Sequence, residues 1–280
     1  MSPPDHPTVS IVMPTFNRGW LIKDAIDSVL GQTYTDFELI VVDDGSTDRT
    51  RDILSNYGDR LHLIGQANRG VSAARNCGIG ASTGRLIAFL DSDDIWLPNK
   101  LAVQVSFFEH NHSALICQTD EIWIRNGMRV NPRKRHLKPS GLIFEPSLVL
   151  CLVSPSAVMV RRELFDEVGL FDEELPACED YDLWLRVSCR IPIHLIGMPL
   201  TVKRGGHQDQ LSRQDSLDKY RIQSLIKLIE SGRLTISQRN AAVIILRKKC
   251  AVYANGCLKR GRVKEAIRYT NVIQGYTLVE

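Results

Sequence analysis

The fold is decided by the stretch Arg85-Leu-Ile-Ala-Phe-Leu-Asp-Ser-Asp-Asp94. Its apolar part, residues 86–90, is short and uninterrupted, as expected of a strand that is covered on both faces. Carboxylates follow at Asp91, Asp93 and Asp94. Ligands of parallel α/β sheets bind just beyond the carboxyl ends of the strands, so these aspartates are expected at a ligand site.

Asp91 and Asp93 can be interpreted in two ways. They lie two residues apart, so their side chains leave on the same face if the chain stays extended. Paired carboxylate oxygens suit an Mg²⁺ or Mn²⁺ ion that also holds phosphate oxygens. Alternatively, the acidic residues form a turn that caps a helix introduced by Pro98. The stretch alone does not decide between a metal site and a cap.

The chain before this stretch alternates between strands and helices. Its apolar patterns predict strands at 9–13, 37–42, 61–64 and 86–91, with helices between them at 20–30, at 50–57 and up to residue 81. Such alternation is typical of a parallel sheet with right-handed crossovers. The polar loops that follow the first, second and fourth strands are therefore expected at one edge of the sheet.

The patterns after this stretch predict two regions of different character. Strands are expected at 114–124, 156–160 and 193–202, and helices at 100–109, at 161–168 and from residue 180, with a hairpin turn at Arg125-Asn-Gly127. Residues 130–140 are basic and are expected to form a mobile surface loop, and 203–212 a closing loop. From residue 216 only helices are expected, at 220–229, 237–258 and 263–273. We therefore predict a catalytic-type domain over 1–212 and a basic helical extension over 213–280.

Composition and charge describe an ordinary globular chain. Hydrophobic residues make up 44% and charged residues 24% of its 280 residues, enough for one large domain or one domain with a small appendage. The net charge of +3 makes no case for nucleic acid as a partner. From Ser216 to Glu280, however, thirteen Lys and Arg stand against four Asp and Glu, a balance of +9 that leaves −6 for the rest.

The cysteines and the apolar segments bear on location. Seven cysteines are scattered without any CxxC pair, which supports neither a disulfide framework nor a zinc site and favours reduced cytosolic thiols. Residues 1–8 are polar and rich in proline, unlike a signal peptide, and no segment approaches the ~20 apolar residues of a membrane span. We expect a cytoplasmic protein, with peripheral contact at the inner face of the membrane as a second expectation.

Asp44 and Arg75 are candidates for nucleotide binding, and each has an ordinary structural alternative. A strand-end aspartate such as Asp44 commonly accepts hydrogen bonds from a ribose or base in nucleotide folds. Ser46 or Asp48 in the same string is expected to cap the next helix on any interpretation. Arg75 is placed to lie against a base or a diphosphate, or to be a surface arginine paired to a nearby carboxylate.

Asp180 and His207 are candidates for catalysis and metal binding. Asp180 stands at the start of an amphipathic helix, where an acid at the cap or first turn contributes ~1 kcal/mol without any further role. The functional alternative makes it a general base for an incoming hydroxyl. His207 lies in a loop flanked by glycines and is a candidate third metal ligand, although a lone histidine in a loop is more often exposed.

Together these residues resemble the inverting family-2 glycosyltransferases, which have the GT-A nucleotide-diphospho-sugar transferase fold. The resemblance covers Val9 to about Ser212 and rests on five motifs in matching order. The motifs are Val9-Ser-Ile-Val-Met-Pro-Thr-Phe-Asn-Arg18, Phe37-Glu-Leu-Ile-Val-Val-Asp-Asp-Gly-Ser-Thr-Asp48, Asn68-Arg-Gly-Val-Ser-Ala-Ala-Arg-Asn76, Phe89-Leu-Asp-Ser-Asp-Asp94 and Glu179-Asp-Tyr-Asp-Leu-Trp-Leu-Arg186. The resemblance implies an α/β fold in which a mostly parallel central sheet is flanked by helices, followed here by the C-terminal helical extension.

The resemblance also implies roles for the donor-binding residues. Pro14, Thr15 and Asp44 would hold the nucleoside, with Arg75 beside it. Asp91-Ser92-Asp93 matches the DXD motif of the family, which implies Ser92 at the donor.

The same motifs imply a metal site and a base. Asp91 and Asp93 would bind Mn²⁺ or Mg²⁺. Asp93 is the best candidate for direct contact with the ion, which would also hold the diphosphate of the donor. Asp180 matches the catalytic base of the family, and His207 matches a C-terminal histidine that often completes the metal site. Gly205-Gly206 before this histidine departs from the commoner pattern.

The implied function is a metal-dependent, inverting transfer of a sugar from a nucleoside-diphosphate sugar, with a UDP-sugar as the first choice. The acceptor would be a hydroxyl of a glycan or lipid-linked glycan in cell-surface polysaccharide assembly. One alternative is a non-catalytic protein that binds sugar nucleotides or acts as a scaffold. Another is a sugar-1-phosphate nucleotidyltransferase, which would need a glycine-rich loop where this chain has Pro14-Thr-Phe-Asn-Arg18.

The partners of the C-terminal helices are also left open by the sequence. These helices are expected to pack against the catalytic domain, and contact between their basic surface and an anionic membrane is the alternative. A homodimer is a further expectation.

Overall fold

The computed structural model describes residues 6–206 and 217–279. The described strands are β1 (Val9–Thr15), β2 (Phe37–Asp43), β3 (His62–Gly65), β4 (Leu86–Phe89), β5 (Ile95–Trp96), β6 (Ile116–Arg125), β7 (Met128–Val130), β8 (Val158–Arg161) and β9 (His194–Gly205). The described helices are α1 (Ile22–Leu30), α2 (Thr50–Ser55), α3 (Val71–Ala81), α4 (Lys100–His110), α5 (Phe144–Val149), α6 (Leu164–Val168), α7 (Glu179–Ser188), α8 (Leu217–Glu230), α9 (Ile236–Lys259) and α10 (Val263–Gly275).

The strands form one mixed sheet in the order β3-β2-β1-β4-β8-β6-β9-β5, with β7 paired to β6. The pairs β2–β3, β1–β2 and β1–β4 are parallel, which confirms the parallel arrangement predicted for the first four strands. Beyond β4 the sheet changes character, because β8 is antiparallel to both β4 and β6. The carboxyl ends of β1, β2 and β4 therefore lie at one edge, where their polar loops meet.

The first half of the sheet is covered on both faces. Every residue of β1 is buried, and α1 buries one stripe of side chains against the sheet: Ile22, Ala25, Ile26 and Val29. Val12 and Phe89 belong to the opposite face, where they pack with residues of α6 and α7. Burial on both faces explains why these strands are continuous apolar runs rather than alternating patterns.

Helix α3 lies unusually close to β1. A Cβ atom added at Gly78 would lie 2.4 Å from Cγ1 of Val12, so only glycine allows this approach. Since α3 carries Arg75, this contact helps to set the position of that arginine relative to β1.

The hairpin between β6 and β7 confirms the turn predicted at Arg125-Asn-Gly127. Asn126 and Gly127 have φ angles of 50° and 76°, as a two-residue turn of type I′ requires. The prediction of a mobile surface loop over 130–140 is wrong at Lys138, whose side chain is only 7% exposed and pairs with Glu121 at 3.0 Å.

Three elements were placed incorrectly or missed in the sequence. β9 runs to Gly205, so Lys203 and Arg204 belong to a strand rather than to the closing loop, and they pair with Trp123 and Ile124 of β6. The short strand β5 and the helix α5 were not predicted.

The C-terminal helices share an apolar core with the rest of the chain. α8, α9 and α10 pack against α5 and α7 through buried side chains that include Tyr181, Leu185, Leu225, Leu246 and Cys250. The predicted boundary between 212 and 213 falls outside the described residues. Within the described part of the chain, no helix combines the length and the apolar character needed to span a bilayer.

Candidate active site

The acidic stretch after β4 forms a tight turn. The N–H of Asp94 donates to the carbonyl oxygen of Asp91 at 2.9 Å, so the chain does not stay extended through Asp93, which was the condition for placing the two side chains on one face. The turn adds Asp94 to the pair, and one carboxylate oxygen from each of the three residues lies within 4.8 Å of the others. The alternative role as a helix cap is also wrong, because β5 follows the turn and α4 begins only at Lys100.

Asp94 shows that this turn fits a cation. Its side chain is buried, and while Oδ1 accepts a hydrogen bond from the N–H of Arg204 at 3.0 Å, its Oδ2 has no hydrogen-bond partner in the described part of the chain. Burial and the neighbouring Asp93 raise the pKa of Asp94 well above its usual range. A buried carboxylate oxygen without a partner is costly. The residues present therefore fit a divalent ion with oxygen ligands, such as Mg²⁺ or Mn²⁺.

Lys203 places an internal positive charge beside this cluster. Its Nζ donates to Oγ of Ser154 at 3.0 Å. Burial lowers the pKa of Lys203, but the net pKa is raised because several carboxylates face the ammonium group. Those carboxylates belong to Glu121, Asp94, Asp91 and Asp180. The acidic turn and Asp180 therefore both act on the charge of Lys203.

Glu121 and Lys138 extend this buried charge network. Burial raises the pKa of the Glu121 carboxyl, but the charges of Lys138 and Lys203 outweigh it and hold the pKa at about 2. Nε1 of Trp123 donates to the second oxygen of Glu121 at 2.9 Å. Glu121 is therefore ionised and contributes negative charge at one side of Lys203.

Arg204 connects the acidic turn to helix α1 through hydrogen bonds. Its Nε donates to the carbonyl oxygen of Asp93 at 2.6 Å, and its Nη1 donates to Asp24 of α1 at 2.7 Å. The pairing of Ile95 in β5 with Val202 in β9 brings Arg204 alongside the turn.

Arg75 is buried between two carboxylates rather than exposed. Nη1 donates to Glu179 at 2.6 Å and Nη2 donates to Asp91 at 2.7 Å. Burial lowers the pKa of Arg75, but Asp91 and Glu179 raise it by more, so the guanidinium stays charged. The alternative predicted a surface arginine paired to a carboxylate. The carboxylate pairing is confirmed, but the surface location is wrong.

Asp180 lies in the first turn of α7, next to Glu179. Its Oδ1 accepts a hydrogen bond from the N–H of Tyr181 at 2.7 Å, and its Oδ2 accepts one from Sγ of Cys151 at 3.5 Å. The carboxylate is half-buried and has lone pairs left for an incoming hydroxyl.

One short segment contacts several parts of the site. Cys151 contacts Asp180, Ser154 contacts Lys203, and Oγ of Ser156 accepts a hydrogen bond from the N–H of Asp91 at 3.1 Å. The segment 151–156 therefore sets the spacing between the acidic turn, β9 and α7.

The predicted nucleoside side lies at the ends of β1 and β2. Pro14 and Thr15 end β1 beside Asp43, and Oγ1 of Thr15 is buried without a hydrogen-bond partner in the described residues. Asp44 accepts hydrogen bonds from three donors of the loop that enters α3: Nε2 of Gln66 at 2.7 Å, the N–H of Arg69 at 2.9 Å and the N–H of Gly70 at 2.8 Å. Asp44 thus stabilises the conformation of this loop, independently of any role in nucleotide binding.

The remaining predicted residues are Ser92 and His207. Ser92 is buried within the acidic turn. His207 lies outside the described residues, so its role as a third metal ligand stays a prediction. The prediction that Ser46 or Asp48 caps the next helix is wrong, because the N-cap residue of α2 is Arg49 and no side chain among the described residues caps it, although Oδ1 of Asp48 accepts from the N–H of Thr50 at 2.9 Å.

Comparisons with known proteins identify the family of the chain. The model of the family described as "Glycosyl transferase family 2" matches residues 10–169. The chain belongs to this family. The matched range includes the acidic turn and Arg75 but ends before α7.

Two relatives of this family-2 chain carry names that state an activity or a biosynthetic role. It is 36% identical over 185 residues to the UDP-Glc:alpha-D-GlcNAc-diphosphoundecaprenol beta-1,3-glucosyltransferase of Escherichia coli, covering 65% of this chain and 70% of that protein. It is 32% identical over 183 residues to a putative teichuronic acid biosynthesis glycosyltransferase of Bacillus subtilis, covering 64% of this chain and 71% of that protein. It spans only 31% to 60% of the length of several uncharacterised Rickettsia glycosyltransferases that are 31% to 35% identical to it.

Solved structures confirm the GT-A fold of this family-2 chain. The Staphylococcus aureus TarS fragment 1-349 in complex with UDP-GlcNAc matches with a TM-score of 0.69 and 21% identity, over 87% of this chain and 72% of that chain. A mannosyltransferase from Pyrobaculum calidifontis in complex with GDP-Man and Mn²⁺ matches with a TM-score of 0.58 and 17% identity, over 96% of this chain and 87% of that chain.

Several residues of the site were missed in the sequence. Glu179 was visible as the neighbour of Asp180, and Asp94, although expected at the ligand site, was not assigned to the metal. Lys203 and Arg204 form a basic pair whose place in the site depends on β9, which was predicted to end too early. Lys138 carried no local signal, because its partner Glu121 lies on another element.

Proposed function

We propose that the protein is a metal-dependent, inverting glycosyltransferase that moves a sugar from a UDP-sugar to an acceptor hydroxyl. The observation that carries this proposal is that one short segment, 151–156, contacts both the acidic turn and Asp180, through Ser156 and Cys151. It brings candidate ligands for a donor diphosphate and a candidate base to one edge of the sheet. The E. coli relative is named for a UDP-sugar donor, and TarS was solved with UDP-GlcNAc, which supports UDP as the nucleotide.

Donor binding would use the ends of β1 and β2 and the acidic turn. Oγ1 of Thr15 is a buried group without a partner in the described residues, which a nucleoside hydroxyl or carbonyl would satisfy. Pro14, Asp44 and Ser92 would line the same side, and Arg75 would act on the donor through Asp91. Asp91, Asp93 and Asp94 would hold Mn²⁺ or Mg²⁺, which offsets the charge of the departing diphosphate when bound.

The transfer step would use Asp180 as general base. Its carboxylate takes the proton of the acceptor hydroxyl while that oxygen attacks the anomeric carbon of the donor. The bond between the anomeric carbon and the diphosphate oxygen breaks in the same displacement, so the configuration inverts and the nucleoside diphosphate leaves. Cys151 and the N–H of Tyr181 hold the carboxylate in place.

A ligand-binding experiment tests the donor site first. Thermal unfolding is measured with UDP, GDP, dTDP or CDP, each with Mn²⁺, Mg²⁺ or EDTA. A rise in Tm with UDP that depends on the metal is expected, because a ligand that binds only the folded state stabilises it. If no nucleotide raises Tm under any metal, the donor site is refuted and the scaffold alternative is favoured.

Asp180→Asn separates an enzyme from a binding protein. The variant should retain the metal-dependent Tm rise with UDP but lose turnover by at least a hundredfold, in line with the usual contribution of a general base. Release of UDP from UDP-Glc and UDP-GlcNAc is the measured activity. Glu174→Gln, at an exposed position shortly before α7, is the matched control. Turnover in Asp180→Asn equal to that of the control would refute Asp180 as the base.

The C-terminal helices α9 and α10 suggest a role at a membrane. The exposed face of α9 and α10 carries apolar side chains interleaved with basic ones: Ile244, Lys248, Val252, Leu258, Lys259, Val263, Lys264, Ile267 and Arg268. An apolar stripe with flanking cations suits an anionic lipid surface. The E. coli relative is named for an acceptor carried on diphosphoundecaprenol, and such an acceptor lies in a membrane. We therefore propose a lipid-linked glycan as acceptor and peripheral binding through this face.

Vesicle binding tests this proposal. The chain should co-sediment with phosphatidylglycerol vesicles more than with phosphatidylcholine vesicles, and less as salt is raised. Replacing Val252 and Ile267 by Ser should weaken sedimentation, whereas Met128→Ser, at another exposed apolar position, should not. Equal sedimentation with both kinds of vesicle would refute peripheral binding through this face.

A further inference from the structure

We propose that Glu179 is a positioning residue that sets, through Arg75, how strongly Asp91 attracts a divalent cation. This inference rests on the proposed function, because it assumes that the acidic turn binds a metal. It joins two elements that were expected to act separately, namely the turn after β4 and the first turn of α7.

The contacts of Arg75 carry the first step. Its Nη1–Oε1 distance to Glu179 is 2.6 Å and its Nη2–Oδ1 distance to Asp91 is 2.7 Å. Within the described residues these are its only side-chain hydrogen bonds, since Nε has no partner. One positive charge is therefore divided between two carboxylates, which leaves the three side chains with a net charge of −1.

Burial strengthens the electrostatic effect of sharing Arg75 between Glu179 and Asp91. The side chains of Arg75 and Glu179 are 4% and 7% exposed, whereas that of Asp91 is 28% exposed. The ring of Phe171 covers the guanidinium, with its centroid 5.1 Å from Cζ of Arg75. Water and salt therefore screen the pair at Glu179 very little, and a change of charge there is felt at Asp91.

Glu179 itself is separated from the metal cluster. Among the described residues its only side-chain partner is Arg75, and it is not one of the three carboxylates that converge within 4.8 Å at the turn. Glu179 is therefore not a ligand of the cation, and it acts through its contact with Arg75 and through the field of its own poorly screened charge. If Glu179 is made neutral, Arg75 pairs with Asp91 alone, and Asp91 presents less negative charge to the cation.

The test is a titration of Mn²⁺ into the full chain with saturating UDP, in which the electron paramagnetic resonance signal reports free Mn²⁺. We expect Glu179→Gln to raise the Kd for Mn²⁺ by about three- to tenfold, because it removes one nearby negative charge and retains the shape. Glu173→Gln is the matched control. Glu173 accepts a hydrogen bond from Arg69 at a more exposed position on the approach to α7, and its loss should leave the Kd unchanged.

A second variant covers a failure of Glu179→Gln to fold. Glu179→Asp keeps the charge but withdraws the carboxylate from Arg75 by one methylene, and it should raise the Kd by a smaller factor. A purely structural role would lower Tm without moving the Kd for Mn²⁺. Kd values equal to wild type in whichever of these variants folds would overturn the inference while leaving the metal site intact. Absence of Mn²⁺ binding by the wild-type chain would instead refute the proposed metal site, and the inference with it.

Discussion

Arg204 donates from Nε to the main-chain carbonyl of Asp93 at 2.6 Å, although the residues are 111 positions apart in the chain. The main-chain N–H of Arg204 also donates to Oδ1 of Asp94 at 3.0 Å. The acidic turn is thus held in shape by an arginine rather than by its own residues alone. Rigid carboxylates bind a cation better, because less freedom is lost on binding.

Arg204→Met should therefore weaken metal binding. The substitution retains the apolar stem and the main-chain bond but removes the contact with the carbonyl of Asp93, and we expect a Kd for Mn²⁺ about three- to tenfold higher with UDP present. Calorimetric titration measures this change. Lys23→Met, which removes an exposed ion pair with Asp27 on α1, is the control. A Kd within error of the control would show that the turn keeps its shape without Arg204.

Lys203→Met should destabilise the chain in the absence of metal. Nearby carboxylates raise the pKa of Lys203, so its removal leaves their negative charge less compensated and should lower the free energy of unfolding by about 1–3 kcal/mol. A divalent cation at the turn would supply the missing positive charge, so Mn²⁺ should restore Tm more in Lys203→Met than in the wild-type chain. Thermal unfolding with Mn²⁺ and with EDTA gives both values. An equal effect of Mn²⁺ on the two chains would contradict this role for Lys203.

The sequence was sufficient where the signal was local. The apolar runs of β1, β2 and β4 and the helical spacing of α1 predicted the parallel half of the sheet, because burial on both faces is recorded in consecutive residues. The hairpin at Asn126-Gly127 was predictable for a similar reason, since its positive φ angles favour particular residues.

The sequence was insufficient where a partner is distant. The bonds that Arg75 makes to Glu179 and that Arg204 makes to Asp94 join residues 104 and 110 positions apart, and no local pattern indicates such pairs. The two-residue spacing of Asp91 and Asp93 could not decide between an extended chain and a turn, and the structure has the turn. The length of β9 depends on its pairing with β6 rather than on its own propensity.

Two glycines of α3 give opposite predictions. Gly78→Ala should lower the free energy of unfolding by about 1–3 kcal/mol, because its Cβ would lie 2.4 Å from Val12 and α3 would have to move. Gly80→Ala should raise it by roughly 0.5–1 kcal/mol, since nothing lies within 4 Å of its added Cβ and alanine favours a helix. Denaturant unfolding measures both, and Gly80 controls for helix propensity. Equal effects at the two positions would contradict the close packing of α3 on β1.

Lys100 provides a test that depends on pH. Its side chain is fully buried, with Nζ 2.5 Å from Oε1 of Gln104 and 4.0 Å from the centre of the Trp96 ring. Burial lowers the pKa of Lys100 from 10.5 to about 7. Between these values the unfolded chain binds a proton that the folded chain does not, so the stability of the wild-type chain should rise with pH.

Lys100→Met removes this dependence. The penalty for charging a buried lysine is fully present below pH 7 and vanishes above about pH 10.5, and with 1.36 kcal/mol for each pKa unit it is on the order of 5 kcal/mol. The stability of Lys100→Met relative to wild type should therefore be greatest at pH 7 and fall steadily to pH 10. Urea unfolding at pH 7, 8.5 and 10 measures it, with Lys248→Met on the exposed face of α9 as the control. A difference that stays constant across this range would show that Lys100 remains charged in the folded chain, and Trp96 and Gln104 would then be stabilising an ammonium group.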